Sequence, residues 1–138
     1  MYIPKSFELY ELLPRDVYEA TIHYGNNRFQ WFDDRALISL QSLREWAGKT
    51  LVNNWYWGGN NQWGGLRPFD CPIGALYSQH KFGRAFDAKF ADKTADEARH
   101  YIRSNKAKFP YITCLEEGVG WCHLDTRNYD GLLIIHGG

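Results

Sequence analysis

The chain has 138 residues, which is enough for one domain with its own hydrophobic core and no stabilising disulfides. Its 16 lysines and arginines balance 16 aspartates and glutamates, so the composition gives no long-range attraction to nucleic acid or to an anionic membrane. The three scattered cysteines form no Cys-x-x-Cys pair, which argues against a zinc ribbon and favours reduced thiols. We therefore expect a single domain over residues 1–138.

Residues 1–28 are predicted to form a packed N-terminal arm, in which Val17 to Thr21 can be either a short helix or a strand. The first long helix follows this arm. Asp33 or Asp34 can cap its N-terminus, and Gly48 can end it. Apolar residues recur between these points at helical spacing and predict a face that packs on the core: Ala36, Leu37, Leu40, Leu43, Trp46 and Ala47.

The segment from Thr50 to Trp57 is interpreted as a strand, and the glycine- and amide-rich stretch 58–65 after it as a loop. The loop lacks the Gly-Lys-Ser/Thr sequence of a phosphate-binding loop. The stretch Ala85–Phe90 alternates as a strand and places Asp87 on the same face as Lys89. Aromatic residues are frequent along the chain, with 6 Trp, 9 Tyr and 8 Phe, which fits either core packing or a groove that stacks on sugars or peptides.

A second helix is predicted from the capping box Thr94-x-x-Glu97 to about Lys108. Its basic residues are interpreted as a solvent-exposed face: Arg99, Arg103, Lys106 and Lys108.

Two strands, 111–116 and 119–126, follow this helix and form a predicted hairpin around Glu117-Gly118. With a two-residue turn, Glu116 lies opposite Val119. In that register Glu116 shares one face of the hairpin with Trp121, His123 and Asp125. Leu132 to Ile135 is a last short strand, so the elements predict an α+β fold with a small antiparallel sheet and flanking helices.

Two imidazoles and a carboxylate stand out as candidate metal ligands: His80, Asp87 and His123. This is the kind of three-ligand set that a catalytic zinc uses, with the fourth position open to water. Gly83 lets the chain bend between the first two ligands. Cys122 lies next to His123, but adjacent strand residues point to opposite faces, so we interpret it as a core thiol.

The motif Ser78-x-His80-x-x-Gly83-x-Ala85-x-Asp87, followed by Trp-x-His-x-Asp at residues 121–125, resembles the M15 family of zinc peptidases. This family includes D-alanyl-D-alanine carboxypeptidases and the L-alanyl-D-glutamate endolysins of bacteriophages. The resemblance covers residues 59–127. It implies a hedgehog/DD-peptidase-like fold, a Zn²⁺ ion held by the three candidate ligands and the peptide stem of peptidoglycan as the substrate.

In that arrangement, an arginine before the first motif faces the substrate, and Arg67 occupies this place. Its guanidinium can grip a peptide carboxylate with two parallel hydrogen bonds, or it can form a surface salt bridge. Ser78 can orient a ligand, bind substrate or simply form a turn. Arg84 is a further candidate cation near the site, and Trp121 a further substrate contact.

The identity of the general base is open, because several family members carry an acid three residues before the last histidine and Gly120 stands there in this chain. Three carboxylates can replace it: Glu116, Glu117 and Asp125. We predict Glu116 as the base, because the hairpin register places it on the metal face. Asp125 is predicted to support catalysis by orienting a histidine.

These features predict a zinc metallopeptidase that cuts peptidoglycan stems, with a phage endolysin as the favoured setting. No apolar run reaches the length of a membrane span and no export signal is recognised, so we expect a monomer that does not insert into membranes and stays in the host cytoplasm until it reaches the cell wall. The alternatives are a non-catalytic zinc-binding module and a virion structural protein with the same fold. Whether D-Ala-D-Ala or L-Ala-D-Glu is cut stays open.

Overall fold

The structure is a computed structural model that describes residues 1–137, so Gly138 at the end of the predicted domain lies outside the described range. The α-helices are α1 (Arg15–Ala20), α2 (Asp34–Ala47) and α3 (Ala95–Ser104). The strands are β1 (Thr50–Leu51), β2 (Ala85–Phe90), β3 (Cys114–Glu117), β4 (Cys122–Asp125) and β5 (Leu133–His136). Short 3-10 segments lie at Leu9–Glu11, Trp55–Trp57, Gln79–Phe82 and Lys106–Lys108, and residues Ile22–Trp31 form two 3-10 turns separated by a kink at Gly25. The fold is α+β, as predicted, and every helix within residues 1–137 is too short or too polar to span a bilayer.

The five strands form one sheet in the order β1-β2-β4-β3-β5. The pairs β1-β2, β2-β4 and β4-β3 are antiparallel, but β5 pairs in parallel with β3. The predicted antiparallel sheet was therefore wrong in this respect, since the sheet is mixed. Because β2 and β3 already flank β4, β5 cannot pair with β4, and it pairs with the free edge of β3 instead. A strand that reverses direction after β4 then runs the same way as β3.

The two faces of the sheet have different roles, because successive strand residues alternate between them. Phe86, Leu115 and Leu124 point to one face and belong to the hydrophobic core, which also takes the apolar side of α2. The side chains of Asp87 on β2 and His123 on β4 point to the other face. The sheet therefore separates a packed side from a polar side that can hold a site.

The helix α2 begins and ends where the sequence predicts. The Asp33 side chain accepts a hydrogen bond from the backbone N–H of Arg35, and Gly48 ends the helix with a positive φ of 78°. The helix α3 begins with the predicted capping box but ends at Ser104, four residues before the expected Lys108. Its end coincides with Asn105, whose side chain donates to a carbonyl in the last turn.

The N-terminal segment is part of the core and does not lie apart from it, since Phe7, Leu9, Leu12 and Leu13 are all buried. The predicted strand Thr50 to Trp57 was wrong beyond Leu51. The chain leaves the sheet there because the buried Asn53 side chain donates to the carbonyl of Leu13 and accepts from the N–H of Gly64. Asn53 thus joins the N-terminal segment to the glycine-rich loop.

Candidate metal centre

The three candidate ligands converge on one point, although they come from distant parts of the chain. His80 lies in the 3-10 segment before β2, Asp87 lies on β2 and His123 lies on β4. Asp87 and His123 are direct cross-strand partners. The Asp87 carboxylate reaches both rings, with Oδ2 at 3.3 Å from His80 Nε2 and Oδ1 at 2.8 Å from His123 Nδ1.

These atoms fit a metal ion. One ligand atom from each residue lies within 4.8 Å of the other two. Two atoms that are each about 2.1 Å from a tetrahedral ion lie about 3.4 Å apart, which is close to the 3.3 Å between His80 Nε2 and Asp87 Oδ2. All three residues line a cavity of about 430 Å³. The His80–Asp87–His123 group can therefore hold a metal ion, as the sequence predicts.

His80 is oriented by a backbone carbonyl. Its Nδ1–H donates to the carbonyl of Gly65 at 2.9 Å, which leaves Nε2 as the nitrogen that faces Asp87. The hydroxyl of Ser78 accepts from the backbone N–H of His80 at 3.3 Å and caps the 3-10 segment. Gly83 ends that segment with a φ of 68°, in the left-handed region that glycine adopts without strain.

The position of that carbonyl depends on glycine. A Cβ atom on Gly65 would lie 2.2 Å from the carbonyl oxygen of Leu12. Only glycine therefore lets these two segments of the backbone approach so closely. The neighbouring carbonyl of Gly64 accepts the backbone N–H of Asp87 at 2.8 Å. The Gly64-Gly65 pair therefore supports two of the three candidate ligands.

His123 is oriented by a carboxylate. Its Nε2 lies 2.7 Å from Oδ2 of Asp125, so Nδ1 turns toward Asp87. Asp125 is fully buried, and Arg127 holds its two oxygens with hydrogen bonds of 2.8 Å and 2.6 Å. Such a carboxylate behind a ligating histidine fixes the ring and raises its basicity. This contact has the geometry that the predicted supporting role of Asp125 requires.

The protonation states follow from these contacts. Burial alone would raise the pKa of Asp87, but hydrogen bonds from His123 and His80 outweigh it and hold that pKa well below its usual range. Burial would likewise raise the pKa of Asp125, yet Arg127 and His123 lower it to about 2. Burial would lower the pKa of His123, but its bonds to Asp125 and Asp87 raise it to about 9. A metal ion at Nδ1 would therefore compete with a proton.

Arg67 lines the cavity, where it forms a buried salt bridge and not the surface one considered as an alternative. Its Nη2 donates to Oδ2 of Asp87 at 3.3 Å, and its Nε donates to the carbonyl of Trp63 at 2.7 Å. These bonds hold a positive charge beside the ligand carboxylate. The role of Arg67 in gripping a substrate carboxylate stays a prediction.

Glu116 faces the same cavity, although the predicted register was wrong. The structure pairs Cys114 with Asp125, and continuing this register places Glu116 level with His123, not with Val119. The connection runs over residues 118–121 and not over two residues. Because the register moved by an even number of positions, Glu116 stayed on the predicted face.

The remaining predicted residues have different places. Ser78 and Trp121 line the cavity. Arg84 is not among the lining residues, and its guanidinium lies over the ring of Phe82 at 5.0 Å. Glu117 forms an ion pair with Arg103. The substrate contacts of Ser78, Arg84 and Trp121 stay predictions.

Two features of the site were missed by the sequence-based prediction. Arg127 lines the cavity and clamps Asp125. Its position two residues after Asp125 was the available signal, since residues i and i+2 of an extended chain share a face. Ile73 and Tyr77 line the cavity from an irregular loop, for which the sequence offers no periodic signal.

Comparison of the chain with protein-family models, curated proteins and solved structures gave no significant match.

Proposed function

We propose that this protein is a zinc-dependent peptidase of the M15 type, with a hedgehog/DD-peptidase-like fold, that hydrolyses an amide bond in the peptide stem of bacterial peptidoglycan. The favoured setting is a phage endolysin. One observation supports this most: His80, Asp87 and His123 converge in the lining of a cavity, and a second contact turns each ring so that one nitrogen faces Asp87. Side chains that serve only packing have no need of this arrangement.

The donor set by itself is compatible with more than one metal. Two imidazoles and one carboxylate suit zinc, but non-haem iron sites use the same set. The choice of zinc follows from the resemblance of the two motifs at residues 78–87 and 121–125. When bound, zinc supplies Lewis acidity that polarises an amide carbonyl and makes water more acidic.

The residues of this chain supply the rest of the chemistry. Glu116 lines the cavity, and in this proposal it takes a proton from the attacking water and passes it to the leaving amine. Arg67 and Arg127 add positive charge to the same cavity and can steady a developing oxyanion or a substrate carboxylate. Asp125 keeps the ring of His123 in one orientation.

The cavity also has an apolar side that suits a peptide. Ile73, Tyr77, Trp121 and Ile135 line it together with the cationic groups. Apolar walls with a few fixed polar groups are typical of small-molecule and peptide sites. A peptide stem would place its side chains against these walls and its charged groups toward the arginines.

The test combines metal content with product identification. Protein expressed with both zinc and iron supplied should contain about one zinc per chain by mass spectrometry of the metals. It should release amino groups from purified peptidoglycan sacculi, stop when chelated and resume when zinc is returned. Mass spectrometry of the soluble products would tell D-Ala-D-Ala cleavage from L-Ala-D-Glu cleavage.

Matched variants make the test specific. His80→Ala should lose metal and product together, while His100→Ala, an exposed histidine on α3, should keep both. Release of amino groups that continues unchanged in chelator would overturn the metallopeptidase proposal. Bound iron without zinc would overturn the choice of metal.

A second candidate function is favoured by Gly120, which stands where several M15 members carry an acid. A protein without an effective base could bind zinc and a cell-wall peptide without cutting it. Such a protein would contain one zinc per chain and bind stem peptides, but its mixture with sacculi would release no new amino groups.

A further inference from the structure

The folded chain concentrates positive charge around a second cavity, of about 700 Å³, that shares no lining residue with the candidate metal centre. Arg44, Lys49 and Lys89 line it together with one carboxylate, Glu11. Within residues 1–137 these three cations take part in no ion pair. The cavity therefore has an excess of positive charge even though the whole chain has none.

An exposed aromatic ring stands at the wall of this cavity. Trp57 is 59 % exposed, yet its ring is held edge-on against Tyr10 with centroids 5.6 Å apart. Tyr10 in turn stacks on the exposed Tyr56 at 3.9 Å. A ring that is exposed but already fixed offers a flat apolar surface at little further cost in conformational entropy.

The positive surface continues beyond this cavity. A neighbouring cavity of about 390 Å³ shares Lys89 and Phe90 with it and adds Lys93. Arg99 also lines the neighbouring cavity, but Asp96 pairs with it and so reduces its contribution. We call the surface formed by Trp57, Arg44, Lys49, Lys89 and Lys93 the cationic groove. Because the two cavities share Lys89 and Phe90, the groove spans both, which suits a chain-like ligand better than a compact one.

We propose that the cationic groove binds a linear anionic polysaccharide of the bacterial cell envelope. Trp57 would pack against a sugar ring, and the four basic side chains would receive phosphate or carboxylate groups along the polymer. The cell-envelope setting rests on the proposed function.

The composition favours a polysaccharide over a nucleic acid. Nucleic-acid-binding domains are usually strongly basic and present several stacking platforms along the strand. This chain has a formal net charge of zero, and within the described residues Trp57 is the one exposed ring that lines the groove. A sparsely charged polymer matches four cations and one aromatic wall.

Binding can be measured by isothermal titration calorimetry with the full chain in chelator, so that no metal or hydrolysis is involved. The probes are poly(glycerol phosphate), polygalacturonate, the neutral chitohexaose and a single-stranded oligothymidylate. We expect binding of at least one anionic polymer, and the two anionic probes distinguish phosphate from carboxylate recognition. Affinity should fall as salt rises from about 50 mM to about 300 mM, because exposed charges are screened.

Two charge reversals with the same change in net charge provide the matched control. Lys89→Glu should weaken binding by about tenfold or more, which corresponds to about 1.4 kcal/mol. Lys108→Glu, an exposed position outside the groove, should leave affinity within about twofold. Trp57→Ala should weaken binding while the salt dependence is retained.

Three outcomes would overturn the proposal: no binding of either anionic polysaccharide, equal binding of chitohexaose, or equal losses in Lys89→Glu and Lys108→Glu. Tighter binding of the oligothymidylate would replace it with a nucleic-acid site. Because cleavage of a short soluble stem peptide does not require the groove, loss of groove binding with intact cleavage leaves the proposed function untouched. If the protein binds the polymer but cleaves no stem peptide, the groove proposal stands and the proposed peptidase function fails.

Discussion

His123 and Asp125 lie two residues apart on β4, and the Nε2 of the imidazole is 2.7 Å from the carboxylate oxygen Oδ2. This contact turns the other ring nitrogen toward Asp87 on the neighbouring strand. Arg127 holds the same carboxylate from behind, so the ring orientation is fixed by a buried, charge-assisted chain of contacts. The geometry of the candidate metal centre therefore depends on residues that are not themselves candidate ligands.

Asp125→Asn should weaken metal binding by about 10- to 100-fold, because the amide cannot hold the His123 ring as the carboxylate does. The measurement is competition for zinc with a chelator of known affinity. Thr126→Ser, at a buried neighbouring position, is the control and should keep the affinity of the natural chain. Unchanged zinc affinity in Asp125→Asn would show that this contact does not position the ligand.

Zinc should raise the thermal stability of the natural chain but not that of His80→Ala. An ion that binds only the folded state stabilises it by about 2.7 kcal/mol at 100 times its dissociation constant, which amounts to a shift of several degrees in Tm. Differential scanning fluorimetry with and without zinc measures this shift. The exposed-site variant His100→Ala should show the full shift, and the same shift in His80→Ala would remove that residue from the ligand set.

Glu116→Gln should retain zinc while turnover falls by about 100-fold or more, since the amide cannot accept the proton of the attacking water. Metal content and the rate of amino-group release report the two properties separately. Glu117→Gln is the control, because Glu117 is paired with Arg103 and does not line the cavity. Normal rates in Glu116→Gln would show that Glu116 is not the general base.

Arg99→Ala should destabilise the fold, contrary to the sequence-based interpretation of Arg99 as a solvent-exposed residue. The side chain is buried and donates to the carbonyls of Glu116 at 3.2 Å and Trp121 at 3.0 Å, so α3 holds both ends of the hairpin turn. We expect a loss of about 2–4 kcal/mol in the free energy of unfolding, measured in urea. Arg103→Ala, an exposed neighbour, should cost about 1 kcal/mol or less.

Equal stability of Arg99→Ala and Arg103→Ala would contradict the role of Arg99 in holding the hairpin. If the hairpin also positions the proposed general base, Arg99→Ala should lower kcat more than it alters zinc content, because the candidate ligands lie outside the turn.

The thiol of Cys122 should be inert in the folded protein. Burial raises its pKa to about 12, so almost no thiolate forms at neutral pH, and the side chain is fully enclosed in the core. Dithionitrobenzoate should modify it only after denaturant is added, at the rate of unfolding. Rapid labelling of Cys122 in the native protein, detected by peptide mass spectrometry, would show that β4 is more open than its packing indicates.

Local signals in the sequence were sufficient for several elements of this fold. The cap at Asp33, the end of α2 at Gly48 and the capping box at Thr94 each depend on residues a few positions apart. Strand alternation placed the His123 and Cys122 side chains on opposite faces of β4 for the same reason. The candidate ligands could also be named, because their residue types and spacing resemble a known motif.

Contacts between distant segments decided the rest. The pairing of Asp87 with His123 depends on the strand order, and the role of the Gly65 carbonyl depends on how the N-terminal segment crosses the loop. The burial of Arg99 depends on the packing of the hairpin turn against α3.

The sequence by itself determined which residue types are available and which face of its own helix or strand each one takes, because these follow from short-range backbone geometry. The tertiary structure alone decided which faces meet. It brought three distant side chains to one point and collected Arg44, Lys49 and Lys89 around one cavity in a chain of zero net charge. Distances between segments are set by the path of the whole chain, and a pattern within one segment carries no information about that path.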